Sequence, residues 1–557
     1  MRLMGAMRWL PWRWMLRRAA RSQGFLDPLA LLARLRRFGQ PAEVAEPIEL
    51  LRAGMVFHAR GLINTRVIQH NLDWIWPYWI EQQFNPHSRA FLPRAFSLTH
   101  VNLTHRNWTA VGRPDCAALP ISDERGLITP QHDGWSVDAW VWGDDGEWLY
   151  PSRLPAADTQ QTLDWVDSAL TLTTHSTTES LALTAEAWLE RDGRGAVLCM
   201  RYQARADQGG RLVVALRPYN PEGIRFIEAL QAGFDEAGDW GWWVEPDARG
   251  EPAARVVFDQ PPSAYYHANY ASGDVAAMLD GPSESLRVSQ HCDTGLITAA
   301  AVFDLPAGQT QTRQWRLSLP TEAVKPEAQD WTDALAGSAR LVVPDASYQS
   351  LYDTAVQTLL LHSVEDIYPG PYTYRRFWFR DAAFIIHGLL NAGFINRSAE
   401  ALARFPARQV RASGYFHSQD GEWDSNGQVL WIVARFYALT GEFPAPCSAA
   451  QWRRVLRRGG RWIARKRLDN QSNEPHAGLL PAGFSAEHLG PNDYYYWDDD
   501  WSVAGLRAAS AVLYDAGDAE AAAWMEAQAE DFAASIEAAH QADERRLGAS
   551  LLPASPH

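Results

Sequence analysis

The chain has 557 residues, 46% hydrophobic and 21% charged, which is ordinary globular usage and excludes wholesale disorder. Lys and Arg total 51 against 66 Asp and Glu, a net charge of −15. That balance argues against a general nucleic-acid binder, which needs a basic face for the phosphates. No run of about 18 uncharged apolar residues is present to span a bilayer. One feature of the composition stands out: 26 Trp, with 18 Tyr and 20 Phe. Trp presents a flat apolar face and one N–H donor, which suits stacking on sugar rings, although filling a large core accounts for many of them.

Residues 1–40 carry nine Arg and one acid, Asp27, with Trp9, Trp12 and Trp14 interleaved. Without them 42 basic residues face 65 acidic ones, a net of −23. Residues 1–22 lack the long apolar core of a signal peptide, because Arg8, Arg13, Arg17 and Arg18 interrupt them. Three readings stay open for the basic segment 1–50: a helix lying on an anionic membrane surface, a helix packed on the acidic body, or a wrongly assigned start. Cys116, Cys199, Cys292 and Cys447 stand singly. That usage fits a cytoplasmic protein, and no metal or cofactor motif is present.

Residues 51–335 read as a β-sandwich domain. From about 95 the runs SLTHVNLTHRNWTAVG, WSVDAWVWGDD, ALTLTTHS, SLALTAEAWLE, AVLCMRYQAR and RLVVALRPYNP alternate with Gly, Asp and Pro clusters. Many short runs with turns between them predict a large antiparallel sandwich. His100, His105 and His132 read as structural histidines rather than metal ligands. From 336 onward the periodicity turns helical, with helices predicted near 346–362, 382–392, 397–412, 427–440, 448–467, 502–515 and 518–540. Gly393, Gly414, Gly441 and Gly517 fall where helices should stop. Segments apolar all round (AAFIIHGLLNA, QVLWIVARFYAL, SVAGLRAASAVLY) alternate with segments that keep a charged face. An all-apolar helix is buried and an amphipathic one covers a surface. The alternation predicts an inner and an outer layer, the pattern of an α/α toroid.

Three clusters precede or open the apolar segments: Tyr374 to Asp381, Asp420 to Gln428, and Asp493 to Trp501. Each joins Trp to carboxylates. Helix capping explains some acids at helix starts, but three such starts that all carry aromatic residues point to one shared pocket. Glycoside hydrolysis needs such a set: one carboxyl to protonate the leaving oxygen, another to assist water, and apolar faces for the rings. Crowding raises a carboxyl pKa and keeps a general acid protonated; Asp498-Asp499-Asp500 is such a crowd.

A sandwich followed by an α/α toroid resembles the six-hairpin glycosidase superfamily, in particular the glucoamylase-like inverting enzymes. Trp378-Phe379-Arg380-Asp381 resembles the glucoamylase motif W-T-R-D, which implies that Arg380 and Asp381 bind the terminal sugar. Tyr496-Trp497-Asp498-Asp499 resembles the segment around the glucoamylase general acid, in which Trp precedes two Glu. The resemblance implies Asp498 as acid, with Asp499 the second candidate because both family positions are Glu. It implies Trp378, Glu422, Trp423, Asp424 and Trp497 as further substrate-binding residues, and an α-glucoside-type oligo- or polysaccharide as substrate. The alternatives are a phosphorylase of the same architecture and a non-catalytic carbohydrate-binding protein; a lyase is disfavoured by the carboxylate-rich clusters.

Seven helices over 346–540 set a pitch of about 28 residues. Twelve at that pitch need about 330 residues, and 212 run from 346 to 557. The expectation is a partial toroid domain, 336–557. Glu520, Glu526, Glu530 and Asp531 sit on a polar outer helix, so the catalytic base is not expected within these residues.

Overall fold

The computed structural model describes residues 108–556 apart from 133, 155–157, 167–168, 194, 222, 246–253, 294, 321–324, 326–328, 373–374, 419–420 and 485–491. The basic segment 1–50, the surface-binding reading of residues 1–22, the start of the sandwich domain, His100, His105, Tyr374 and Asp420 lie outside the described residues. The chain divides into two compact units between Arg375 and Arg376.

In the first unit two antiparallel sheets share one core. The eight-stranded sheet runs through Ser136–Gly143, Gly210–Arg217 and Thr298–Leu305 to Ala264–Ala268 at its edge. The nine-stranded sheet places Thr310–Ser318, Gly195–Ala206, Leu181–Asp192 and Ala169–Thr177 side by side. Period-two alternation decides which face is buried. Along Gly195–Ala206, Tyr202 and Ala204 point into the core while Gln203 and Arg205 face water. Register puts Met200 opposite Trp315, whose Nε1 donates to Tyr202 Oη at 3.3 Å. Trp240, Trp242 and Trp315 from one sheet meet Val137, Leu212, Val214 and Tyr265 from the other. Removing a Leu or Val of this core from water contributes about 1.5–3 kcal/mol each. Fully buried Trp140, Trp240, Trp242 and Trp315 show where several of the 26 Trp go. His132 rests against Tyr372, 3.3 Å from its carbonyl oxygen. Two helices close this unit, α1 (Trp331–Leu335) and α2 (Ala346–Leu361).

The second unit is helical: α3 (Phe379–Asn391), α4 (Ile395–Leu402), α5 (Phe405–Arg408), α6 (Ser425–Thr440), α7 (Ala449–Lys466), α8 (Tyr496–Asp515) and α9 (Ala519–Leu547). α3, α6 and α8 pack side by side as an inner layer, and α4, α7 and α9 cover them. α6 is buried from Ser425 to Phe436 apart from half-buried Trp431 and Arg435, as its apolar composition requires. α7 buries Trp452, Val455, Leu456, Gly459, Trp462 and Ile463 at helical spacing and leaves Arg454, Arg458, Arg461 and Arg465 outside that face. Gly441 ends α6 with φ 75°, a conformation glycine adopts without steric cost.

Several predicted boundaries differ, among them the end of α9 at Leu547, seven residues past the predicted 540. The single helix over 397–412 is two, α4 and α5, with Pro406 in the first turn of α5; proline lacks the N–H that a continuous helix would use. α8 starts six residues before the predicted 502, so the third acidic cluster straddles the helix start rather than lying ahead of it, with Asp498 and Asp499 in the first turn. Asp498 and Asp499 there face the positive end of the helix. Among the described residues no helix is long and apolar enough to cross a membrane.

Candidate active site

The site forms where the N-terminal ends of α3, α6 and α8 meet. Arg380, in the first turn of α3, is its centre. Its guanidinium lies 3.4 Å from Asp381 Oδ2, 3.5 Å from Glu422 Oε1 and 3.6 Å from Asp424 Oδ2. Trp497 Nε1, from α8, donates to the same Asp424 Oδ2 at 2.9 Å. The three sequence clusters are therefore brought together through one arginine and one carboxylate oxygen. Asp424 is the N-cap residue of α6, yet its side chain makes no capping bond. It is turned into the site instead, and capping does not account for it.

The loop leading to α6 is held by residues to which the sequence assigned no role. Asn426 Oδ1 accepts from Phe416 N at 2.9 Å, and its amide donates to the Gly414 and Gly459 carbonyls. Ser425 Oγ donates to Phe416 O at 2.6 Å, and Tyr415 Oη donates to Glu422 O at 2.8 Å. Arg376 Nη2 reaches Ser418 O at 3.0 Å, and its guanidinium stacks over Trp378. Phe484 N donates to Gly421 O at 2.8 Å, which ties the loop before α8 to the loop before α6. A polar Ser-Asn pair opening an otherwise apolar helix was the visible signal for this scaffold.

Burial and crowding set the protonation states. Asp498 is buried, 3% exposed, and its carboxyl is pushed well above the usual range by desolvation, then by Asp424, Asp499 and Glu422; Arg380 opposes. Glu422 is pushed up to about 7, chiefly by burial, with Arg380 pulling down and Asp424 pushing up. Burial also works against the charge of Arg380, but Glu422, Asp424 and Asp381 outweigh it and hold the guanidinium protonated.

Burial pushes the Asp499 carboxyl up as well, but its partners differ. Its Oδ1 accepts from Leu480 N at 2.8 Å and its neighbours are Asp500 and Arg467, so it serves the loop before α8. Trp423 also stands apart from the arginine. It packs near Tyr415 and Trp462, with Lys466 Nζ 3.8 Å from its ring centre. Trp497 is 40% exposed, stands edge-on to Trp501 at 5.9 Å, and offers an accessible ring face beside the carboxylates.

Solved structures of similar architecture exist. A bacterial glucoamylase complexed with acarbose superposes with TM-score 0.56 at 12% identity, over 78% of this chain and 68% of that one. The architecture is glucoamylase-like. A putative kojibiose phosphorylase from the human microbiome follows at 9% identity and TM-score 0.38, over 79% of this chain and 63% of that one. A GH92 alpha-mannosidase from Bacteroides thetaiotaomicron gives 10% and 0.26, over 78% and 70%. No protein-family model matches the sequence, and neither does any curated protein.

The raised Glu422 gives a signed pH dependence. An unfolded glutamate titrates near 4.3, whereas the folded chain keeps this proton to about 7. Between those values the unfolded state binds fewer protons, so stability falls as pH rises. Glu422→Gln carries no such charge and is expected to gain stability relative to wild type between pH 5 and pH 8. Urea denaturation at the two pH values checks this; an identical pH dependence in both proteins would refute it.

Proposed function

We propose that this chain is a glycoside hydrolase acting on an α-glucoside-type oligo- or polysaccharide, with Asp498 as general acid. One observation carries the reading: a buried carboxyl, pushed well above the usual range by burial and by its neighbours Asp424 and Glu422, belongs to one cluster with Arg380 at the junction of three helix starts. Asp498 donates its proton to the glycosidic oxygen as the C–O bond breaks. Water adds to the anomeric carbon from the opposite face, giving inversion, and its proton passes to a carboxylate base, for which Glu422 is the candidate within this cluster. Arg380 and Asp381, with Glu422 and Asp424, hold hydroxyls of the sugar at the cleavage point. The exposed face of Trp497 carries a ring, and Trp378 borders the start of α3 beside Arg380.

The shared fold with a glucoamylase that binds acarbose supports the choice of probe. The purified chain is incubated with maltotriose, with and without inorganic phosphate, and the anomer of the product is followed by NMR. Release of free β-glucose in both conditions supports the reading. Sugar 1-phosphate formed only with phosphate would make the enzyme a phosphorylase. Acarbose binding without turnover in either condition would leave a carbohydrate-binding protein.

A further inference from the structure

The structure assigns Gln428, a residue outside the proposed catalytic and sugar-binding set, to the positioning of Asp424, with the Trp497 indole as its second anchor; the inference rests on Asp424 being a sugar-binding carboxylate. Gln428 lies one helical turn after Asp424 on α6, so the two side chains share a face. Its Nε2 donates to Asp424 Oδ2 at 3.0 Å. Trp497 Nε1 donates to the same oxygen at 2.9 Å, and Arg380 Nη1 stands 3.6 Å away. One oxygen thus faces donors from α3, α6 and α8.

Gln428 is fully buried, and its Oε1 has no hydrogen-bond partner among the described residues. Helix α6 is otherwise packed with Val429, Leu430, Ile432 and Val433 here. A half-satisfied buried amide is unfavourable where an apolar side chain would fit. Its contribution lies in the one bond that it does make. That bond fixes the Asp424 carboxylate against rotation and leaves its other oxygen available to a sugar hydroxyl. Trp497 therefore has two functions on two parts of the indole: the N–H anchors Asp424, and the ring face stays open.

The test uses the full chain with Gln428→Met, which keeps the volume and deletes the donor, and Trp497→Phe, which keeps an aromatic ring at an exposed position. With maltotriose each is expected to raise KM by about 10-fold or more, the loss of a hydrogen bond to a charged group, with a smaller change in kcat. Because both act on one oxygen, the double variant should lie within about 3-fold of the worse single. Losses that multiply, or a fall in kcat with KM unchanged, would overturn the assignment. A crystal structure of Gln428→Met gives a readout that needs no substrate: the Asp424 carboxylate should have rotated away from Trp497 Nε1. A carboxylate still within about 3 Å of the indole nitrogen would also overturn it. Wild type that neither binds acarbose nor cleaves maltotriose, with Asp424 displaced in the variant, would remove the proposed substrate and leave the positioning role standing.

Discussion

Asp498→Asn is expected to lower maltotriose turnover by about 100- to 10,000-fold, the usual contribution of a general acid, while acarbose binding stays within about 3-fold of wild type. Asn keeps the shape of a protonated carboxyl but has no proton to give at the leaving oxygen. The fold should tolerate it, because burial already pushes the Asp498 carboxyl toward its neutral form, which Asn resembles. The companion variant separates the two neighbouring aspartates. In Asp499→Asn the side-chain oxygen still accepts from Leu480 N, so the loop before α8 is retained and activity should change less than about 5-fold, the loop bond being neutral rather than charge-assisted. Full activity in Asp498→Asn, or a large loss confined to Asp499→Asn, would reverse the assignment. The pH profile supplies a second check. A protonated Asp498 is lost as pH rises, so activity should fall on the alkaline side and not on the acidic side on its account.

Much of this was legible in the sequence, for definable reasons. Alternating runs gave the sandwich, since a period of two places every second side chain on the same face of a strand and fits no helix. Three Trp-carboxylate clusters at the heads of apolar segments gave the site's components. Their orientation could not be read. Asp424 occupies an N-cap position where Asp ordinarily caps, and only tertiary contacts with Arg380, Gln428 and Trp497 turn it inward. Trp423 and Trp497 are both Trp beside Asp, yet one packs against Trp462 and the other is exposed beside the carboxylates. Asp498 and Asp499 are adjacent in sequence but about 100° apart around a helix, which sends one toward the Asp424 and Glu422 carboxyls and the other to Leu480. The periodicity predicts α8 only from 502, whereas Asp498 and Asp499 lie in its first turn, where Asp is favoured. Gln428 stood at the end of the second cluster with no role, because an isolated polar residue in an apolar helix carries no direction until its neighbour across the turn is seen.

The second large effect is expected from a single methyl group at the crossing of α6 and α8. A Cβ on Gly427 would lie 2.1 Å from Trp501 O, and one on Gly505 would lie 2.3 Å from Gly427 O. Both obstacles are backbone, so no side-chain rotation relieves them. Alanine gains about 1 kcal/mol over glycine in helix propensity, but overpacking costs about 1–3 kcal/mol, and more where backbones must separate. The clash should win, and Gly427→Ala is expected to lower Tm by several degrees. The functional effect should be larger than the stability effect. α6 carries Asp424 and Gln428, α8 carries Trp497 and Asp498, and the crossing sets the 2.9 Å bond between them. Separating the helices by about 1 Å would misplace these groups and is expected to weaken catalysis by about 100-fold. Gly441→Ala serves as the control. It strains a left-handed residue at the end of α6, with nothing within 4 Å of the added carbon. It should cost about 1 kcal/mol and leave acarbose binding intact. Gly427→Ala with the melting temperature and acarbose affinity of wild type would show that the α6–α8 crossing does not set the geometry of the site.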